Sequence, residues 1–385
     1  MIKEERIKKN LDLISFPRLS GTDLEKRAYD IIKDKIQKRD LKTKEQKFIF
    51  SSFYSRVYSK QSFFLSTALL LIFYLSLDII IALLIIIFYI PFVIYTRKPE
   101  KINIGKRFPS QNLFTVLKNK GSIKNGIQNK NKNILLFAHI DSKGQNLSIK
   151  LRSNSLKTWL YSLIISFIFV FIRDLIFTDF YLILTVIGAF PLGLCIISTF
   201  LLLINFTNNK SPGAIDNGSG LVIILEILNH LKEINYIPEN YNIWFVFTGA
   251  EECGTMGIRY FYNAYLKDLD RYNTVIMNFD AIAKNLVIWG IFRKEDPKAD
   301  AYNIFFEKTK SLDPHLILKN QWIRYTRSDG YYLKAKNFRG LGFGDLVAYQ
   351  HIHSVEDTPD KVDIKLIKNL CQYLTELIIK IDKNY

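Results

Sequence analysis

The stretch Asn242-Ile243-Trp244-Phe245-Val246-Phe247-Thr248-Gly249-Ala250-Glu251-Glu252-Cys253-Gly254 decides the fold. Its apolar, aromatic and β-branched run predicts a buried strand of an α/β sheet. The run stops at Gly249, and two adjacent carboxylates follow. In such sheets ligands bind just beyond the carboxyl ends of the strands. Neighbouring glutamates repel unless a cation or a shared proton lies between them. One of them can ligate a metal while the other handles protons. A plain charged loop is the competing reading, and the choice depends on whether the chain supplies further ligands.

It supplies them on both sides. Upstream, the strand-like run Asn133–Ala138 ends in His139-Ile140-Asp141. Side chains two apart at a strand end point the same way, so His139 can bind a metal while Asp141 holds the imidazole through its other nitrogen. Ser211-Pro212-Gly213-Ala214-Ile215-Asp216-Asn217-Gly218-Ser219-Gly220 places Asp216 in a glycine-lined loop before an apolar helix, Leu221–Leu228, where a capping role competes with a ligand role. Downstream, a strand from Val275 ends in Asn278-Phe279-Asp280. His351-Ile352-His353-Ser354-Val355-Glu356-Asp357-Thr358-Pro359 forms a polar loop before a final helix, Ile364–Ile381, with one His as a ligand and the other at the rim. Two His, a bridging Asp, a Glu and a further Asp make two metal sites sharing one carboxylate. Oxygen and nitrogen donors without thiolate suit zinc, with cobalt or manganese as alternatives.

The chain has 385 residues and a formal charge of +17. No nucleic-acid module is recognisable, and long apolar runs among the charges favour a lipid bilayer as partner. Cys195, Cys253 and Cys371 are widely spaced, which gives neither a disulfide framework nor a cysteine zinc signature. The N-terminus lacks an apolar core and predicts no signal peptide. Ser15–Gly21 reads as a loop, after which Thr22 caps an amphipathic helix through Ile36. Glu45–Tyr54 and Asn112–Leu117 read as strands. Phe63–Tyr95 is almost wholly apolar, broken at Ser76-Leu77-Asp78, and Trp159–Phe206 is broken at Arg173-Asp174 and Asp179. Each cluster predicts two helices, those of the first ~22–25 Å long, short for a ~30 Å hydrocarbon core.

Taken together, His139-x-Asp141, Ala-Ile-Asp216-Asn-Gly-Ser-Gly, Gly-Ala-Glu251-Glu252-x-Gly, Asn-Phe-Asp280 and His353-Ser-Val-Glu-Asp-Thr resemble the motif set of the M28 family of zinc peptidases, which includes bacterial leucyl aminopeptidases and glutamate carboxypeptidase II. Arg327-Ser328-Asp329 also resembles a family segment. The resemblance implies an α/β fold with a mixed central sheet flanked by helices, into which α-helical transmembrane hairpins are inserted. It implies two zinc ions per chain: His139 and Asp280 on one, Glu252 and His353 on the other, and Asp216 bridging them with a cis peptide to Asn217. Glu251 would be the general base and acid, and Asp141 the partner of His139. Several relatives have Tyr immediately before the last His ligand. Here Ile352 stands there, leaving Tyr349 or His351 to donate to the oxyanion.

The resemblance also sets an expected organisation. Residues 1–61, 97–156 and 208–385 form the peptidase domain, and 62–96 and 157–207 are hairpins. The three peptidase segments belong to one domain, so each apolar cluster crosses the membrane an even number of times. Basic residues crowd the domain-side flanks, which predicts a multi-pass protein with its catalytic domain in the cytoplasm. Monotopic hairpins are the alternative. The expected function is a membrane-anchored, zinc-dependent aminopeptidase acting on peptides. Carboxypeptidase action, glutaminyl cyclisation and a non-catalytic binding module are the other readings.

Overall fold

The computed structural model describes residues 1–77, 79–121, 132–267, 269–291, 302–303 and 328–384. Its principal elements follow in order: α1 (Glu4–Ile14), α2 (Asp23–Gln37), β1 (Lys44–Ser51), α3 (Ser59–Tyr74), α4 (Ile79–Tyr95), β2 (Arg107–Leu117), β3 (Lys132–His139), α5 (Ile149–Leu175), α6 (Tyr181–Ile204), α7 (Ser219–Glu233), β4 (Tyr241–Thr248), α8 (Met256–Phe261), β5 (Thr274–Phe279), β6 (Val287–Ile291), α9 (Asp329–Ala335), β7 (Arg339–Gly344) and α10 (Ile364–Asn384). The chain divides into two compact units. The first comprises Met1–Phe50, Phe108–Gly144 and Asn209–Tyr385; the second comprises Ser51–Arg107 and Gln145–Asn208. Asp78 and Arg327, named above for their sequence context, lie outside the described residues.

In the first unit, seven strands form one sheet in the order β1-β2-β4-β3-β5-β7-β6. The centre is parallel, with β3 between β4 and β5, and β5 beside β7. The β2–β4 and β6–β7 pairs are antiparallel, so the sheet is mixed, as the sequence predicts. Central strands buried on both faces explain the continuous apolar runs. Leu135 and Phe137 point into a cluster with Phe114, Ile258, Phe261 and Leu333, so α8 and α9 cover that face. Ile134 and Leu136 alternate to the opposite face and are equally buried. There α7 packs on β3 and β5, backed by α1 and α10. Register places His139 opposite Thr248, and Phe279 opposite Phe343. The parallel strands therefore end level with one another, and their carboxyl ends make one edge on which side chains converge.

The N-terminal elements obey local rules. Thr22 caps α2 by accepting from the Glu25 amide. The strand expected over Glu45–Tyr54 stops at Ser51, because Phe53–Tyr58 coils into a wide helical turn leading to α3.

The second unit contains two helical hairpins, α3–α4 and α5–α6. At ~1.5 Å per residue, α3 and α4 are ~24 and ~26 Å long, and α5 and α6 are ~40 and ~36 Å. The predicted break after Tyr74 is present. However, α5 begins at Ile149, ten residues before the apolar run, because Ser148 caps it and accepts from Leu151 N at 3.3 Å. Ile149–Leu175 and Thr178–Ile204 are each long and apolar enough to cross a membrane. Polarity in this unit is inverted. Large apolar side chains such as Phe88, Leu182 and Phe190 face outward, at 69%, 74% and 73% exposure. Small polar side chains lie inside: Thr67 Oγ1 is 2.7 Å from Thr199 Oγ1 and accepts from Trp159 Nε1 at 3.2 Å, and Ser162 and Ser166 are buried. Near the turns Arg173 is buried, donating to the Tyr74 carbonyl at 2.7 Å and pairing with Asp174 at 2.6 Å.

Candidate metal centre

The level strand ends carry the side chains that the sequence singled out. His139 is the last residue of β3. Glu251 and Glu252 start the turn after β4, Asp280 follows β5, and His353 lies in the loop after β7. Asp216 sits in the turn before α7, joined to Asn217 by a cis peptide bond. These five ligand candidates form two groups that share one carboxylate. His139, Asp216 and Asp280 make the first; Asp216, Glu252 and His353 make the second. His139 Nε2 is 3.1 Å from Asp216 Oδ1 and 3.6 Å from Asp280 Oδ1. His353 Nε2 is 3.1 Å from Asp216 Oδ2 and 2.8 Å from Glu252 Oε1. Each oxygen of Asp216 thus faces a different imidazole.

This donor set fits metal ions. Around a tetrahedral zinc with bonds of 2.0–2.2 Å, neighbouring ligand atoms are about 3.3–3.6 Å apart. The observed separations fall at or slightly inside that range. Asp216 Oδ1 and Glu252 Oε1 are buried yet accept no hydrogen bond, despite the nearby imidazoles. Buried carboxylate oxygens are costly without a partner, and a cation at these points satisfies both. Burial pushes Asp216 upward, but the flanking His139 and His353 hold its carboxyl below the usual range. Burial likewise opposes ionisation of Glu252, which His353 and Lys143 bring down to about 2.

Glu251 is different. It is buried, and its carboxylate has no hydrogen-bond partner among the described residues. Burial raises its pKa well above the usual carboxylate range; His139 opposes this, while Glu252, Asp280 and Asp329 add to it. Two adjacent glutamates thus lie in environments that push their proton affinities apart, the arrangement expected of an acid–base group beside a ligand.

The backbone is held as firmly as the side chains. Asp141 Oδ1 and Oδ2 accept the amides of Glu251 and Glu252, each at 3.0 Å, and Ser20 donates to Oδ2 at 2.5 Å. The imidazole Nδ1 of His139 lies 3.0 Å from the Asp141 carbonyl oxygen and 3.5 Å from its carboxylate. Asp141 therefore orients the His through its main chain while its carboxylate pins the glutamate turn. Glu25 accepts the Ala250 amide at 2.9 Å, and Asn112 accepts the Gly249 amide at 3.0 Å. Gly249 is required for close approach: a Cβ there would meet Ser110 Oγ at 2.4 Å and the Gln111 carbonyl at 2.5 Å. Ala250 and His353 adopt left-handed backbone (φ 51° and 60°), unusual for non-glycine residues and frequent at functional sites.

Three groups escaped the sequence reading. Arg18 is fully buried and donates to the carbonyls of Ile140 (2.5 Å), Ile14 (3.0 Å), Phe16 (3.2 Å), Pro212 (2.6 Å) and Gly213 (2.7 Å). It ties the end of β3 to the Asp216 turn. Burial lowers its pKa to about 10, against the pull of Asp357, Asp141, Asp216 and Glu252, so it stays charged at neutral pH. Gly213, at φ 67°, leaves room for it; a Cβ there would lie 2.8 Å from Nη1. Asp357 accepts the Ile215 amide at 2.6 Å and the Asp216 amide at 3.4 Å. Lys143 Nζ donates to Glu252 Oε2 at 2.5 Å, leaving Oε1 to face His353. The available signals were a lone Arg in a loop beside the first helix, an Asp inside a recognised motif and a Lys two residues after Asp141. None has a spacing that marks it. Of the two oxyanion-donor candidates, His351 is taken up by Glu356 at 3.3 Å and Gln350 at 3.1 Å. Tyr349 has no hydrogen-bond partner among the described residues; burial and the nearby Asp280, Asp216 and Glu251 raise its pKa.

Residues 198–378 match the model of peptidase family M28. The resemblance read from the motifs is thus borne out, and the M28 match contains Asp216, Glu251, Glu252, Asp280 and His353. A search of curated protein sequences found no match. Among solved structures the chain is similar to an aminopeptidase from Aneurinibacillus sp. strain AM-1, at 13% identity and TM-score 0.55, covering 99% of this chain and 94% of that one. It is similar to a Fimbriiglobus ruber glutaminyl cyclase at 14% identity and TM-score 0.56, covering 99% and 95%. BSAP, a zinc aminopeptidase from Bacillus subtilis, aligns at 13% identity and TM-score 0.55, covering 99% and 95%. The chain therefore shares the zinc-aminopeptidase-like fold with proteins of two activities.

Proposed function

We propose that this chain is a membrane-anchored exopeptidase that binds two zinc ions and removes N-terminal residues from peptides. The observation that carries the reading is the split of Asp216 between two imidazoles, which makes one carboxylate common to two three-residue groups. Bound zinc would supply Lewis acidity and a lowered water pKa.

The protein's own groups have distinct tasks in this reading. His139, Asp280 and Asp216 would hold one ion, and Glu252, His353 and Asp216 the other. Lys143 fixes Glu252 so that a single oxygen turns inward. Glu251, with its raised proton affinity and unengaged carboxylate, accepts a proton from the attacking water and passes it to the leaving amine. Tyr349 donates to the oxygen of the scissile carbonyl as negative charge develops there. Arg18, Asp141 and Asp357 hold the ligand-bearing turns, which keeps the ligands from rearranging as charge moves.

The second unit is the anchor. Its outward apolar and inward polar surfaces suit hydrocarbon surroundings, where small polar residues join helices. The chain leaves the first unit and returns to it twice, so each hairpin crosses an even number of times. The flanks that join the hairpins to the first unit in sequence are basic, which supports a cytoplasmic catalytic unit by the positive-inside rule.

The test is a screen of detergent-purified protein against peptides with free or blocked N-termini, peptides with N-terminal Gln, and peptides with a free C-terminus, with metal analysis of the same sample. Hydrolysis confined to free N-termini with about two zinc ions per chain is expected. Cyclisation of N-terminal Gln without hydrolysis would transfer the reading to the cyclase chemistry of the Fimbriiglobus ruber neighbour. A folded sample that takes up no zinc or cobalt would overturn it.

A further inference from the structure

The second unit is electrically lopsided. Contacts sort its residues to two ends. At one end Phe53 stacks on Phe92, ring centroids 6.3 Å apart; Lys60 Nζ donates to the Leu203 carbonyl at 2.6 Å; and Leu147 N donates to Asn205 at 3.2 Å. The segment before α3, the close of α4, the start of α5 and the close of α6 therefore gather there. At the other end lie the turns of the hairpins, where Arg173 meets the Tyr74 carbonyl and Ser76 lies 3.4 Å from Tyr181. In sequence, the first end holds two basic residues in 51–61, five in 96–107 and three in 145–158, against the single acid Glu100. The turn of the second hairpin holds Arg173 with Asp174 and Asp179.

Several of these cations have nothing to neutralise them. Arg97, Lys98, Lys101, Lys150 and Lys157 are exposed and form no ion pair among the described residues. Lys60 is the most constrained. Its ammonium lies 3.6 Å from the centroid of the Phe206 ring and gives one proton to Leu203. An ammonium has three N–H donors, so two remain without a hydrogen-bond acceptor among the described residues. A half-buried ammonium with spare donors, at the same end of an apolar bundle as five exposed cations, suits a multiply accepting anion held at the hydrocarbon boundary. A phospholipid phosphate is such a group.

We infer that the basic end of this unit binds anionic phospholipids, with Lys60 fixing one headgroup phosphate and the five exposed cations holding a shell around it. This rests on the reading of the unit as membrane-embedded. The chemistry is charge complementarity at a surface of negative potential, where each nearby Lys or Arg typically contributes about fivefold in affinity.

The full chain is reconstituted into phosphatidylcholine vesicles, with and without phosphatidylglycerol, and flotation reports insertion. Detergent-purified chain is then titrated with each lipid and retained lipids are counted by native mass spectrometry. Insertion into both bilayers is expected, with phosphatidylglycerol retained at least about tenfold more tightly than phosphatidylcholine. Changing Arg97, Lys98, Lys101, Lys150 and Lys157 together to Gln should abolish most of that preference. Lys60→Met alone should remove the most tightly held lipid. Insertion with equal retention of the two lipids would overturn the inference while leaving the membrane reading intact. Failure to insert into either bilayer would overturn both. Displacement of the retained lipid by inorganic phosphate alone would also count against it, because it would mark a soluble anion site. The exposed positions lie outside the metal centre, so unchanged zinc content verifies that the variants are folded.

Discussion

Replacing Arg18 tests how far the metal centre depends on a residue that touches no ligand side chain. Arg18→Met keeps the apolar stem and removes the guanidinium. Five carbonyl oxygens, on Ile14, Phe16, Ile140, Pro212 and Gly213, then lose the guanidinium at a position with 0% exposure. Those of Ile14 and Gly213 keep the Phe16 and Gly218 amides; a buried acceptor left unsatisfied costs about 1–3 kcal/mol, so the other three give a ceiling of about 3–9 kcal/mol. Water entering the vacated space recovers part of this, and removing a buried cation saves its desolvation cost. Breaking buried charged networks typically costs about 3–5 kcal/mol, and that is the expected loss. For a domain of this size, about 1 kcal/mol corresponds to about 2–4 °C in melting temperature, so a fall of roughly 6–20 °C should follow. Arg18→Lys should fall in between, since an ammonium has three donors to offer five acceptors. The assay is a fluorescence melt of the full chain, with zinc titration below the transition. Zinc affinity of the folded Arg18→Lys chain should drop, because Ile140 and Gly213 are tethered to His139 and Asp216 through short stretches of chain. A melt within about 2 °C of the parent and unaltered zinc affinity would refute the idea that Arg18 organises the site.

The two glutamates give opposite forecasts. Glu251→Gln should keep zinc while turnover falls by ~10²–10⁴-fold, whereas Glu252→Gln should lose zinc and activity together; the reverse pattern in metal analysis would exchange their roles. Single cysteines at Ser76 and Thr178 should label from the side opposite to one at Lys26, against a background of three buried native thiols; labelling of all three from one side would rule out spanning hairpins. A third forecast concerns acid stability. Burial raises Glu233, but the Met1 ammonium at 2.7 Å and Arg6 bring its pKa down to about 2. A depressed carboxylate contributes stability above its unfolded pKa, near 4.5, and loses it as pH falls towards 2. Arg6→Gln should therefore lower stability at pH 7–8, where the pair is fully formed, and flatten the profile between about pH 4.5 and 2. An unchanged acid limb would show the pair to be screened.

The sheet and its ligand edge were legible because both are written in local patterns. Buried parallel strands need unbroken apolar runs, and β3, β4 and β5 have them, each followed at once by its carboxylate or imidazole. The helical hairpins were legible for the same reason. What supports the site was not legible, since it depends on contacts between distant segments. Nothing in Phe16-Pro17-Arg18 announces that the guanidinium will reach carbonyls more than a hundred residues away. Asp141 was read as a partner for one imidazole, yet its carboxylate is committed to the amides of Glu251 and Glu252, a pairing that only the β3–β4 register brings about. The start of α5 was not legible, because helix caps, rather than apolar runs, set helix ends.

The strand order has a further consequence, one that concerns time. β2 and β3 are not neighbours; each pairs with β4, which lies between them. On a ribosome β2 appears after the first hairpin, β3 follows soon after, and β4 is made only once the second hairpin has been completed. Until then two apolar strands have no central partner, and Glu251, Glu252 and Asp280 have yet to be synthesised. Catalytic competence therefore cannot precede emergence of the last hairpin, and a nascent chain stalled before Tyr241 has neither its sheet centre nor a complete ligand set. In this protein the order of synthesis puts both helical hairpins ahead of the completed ligand edge.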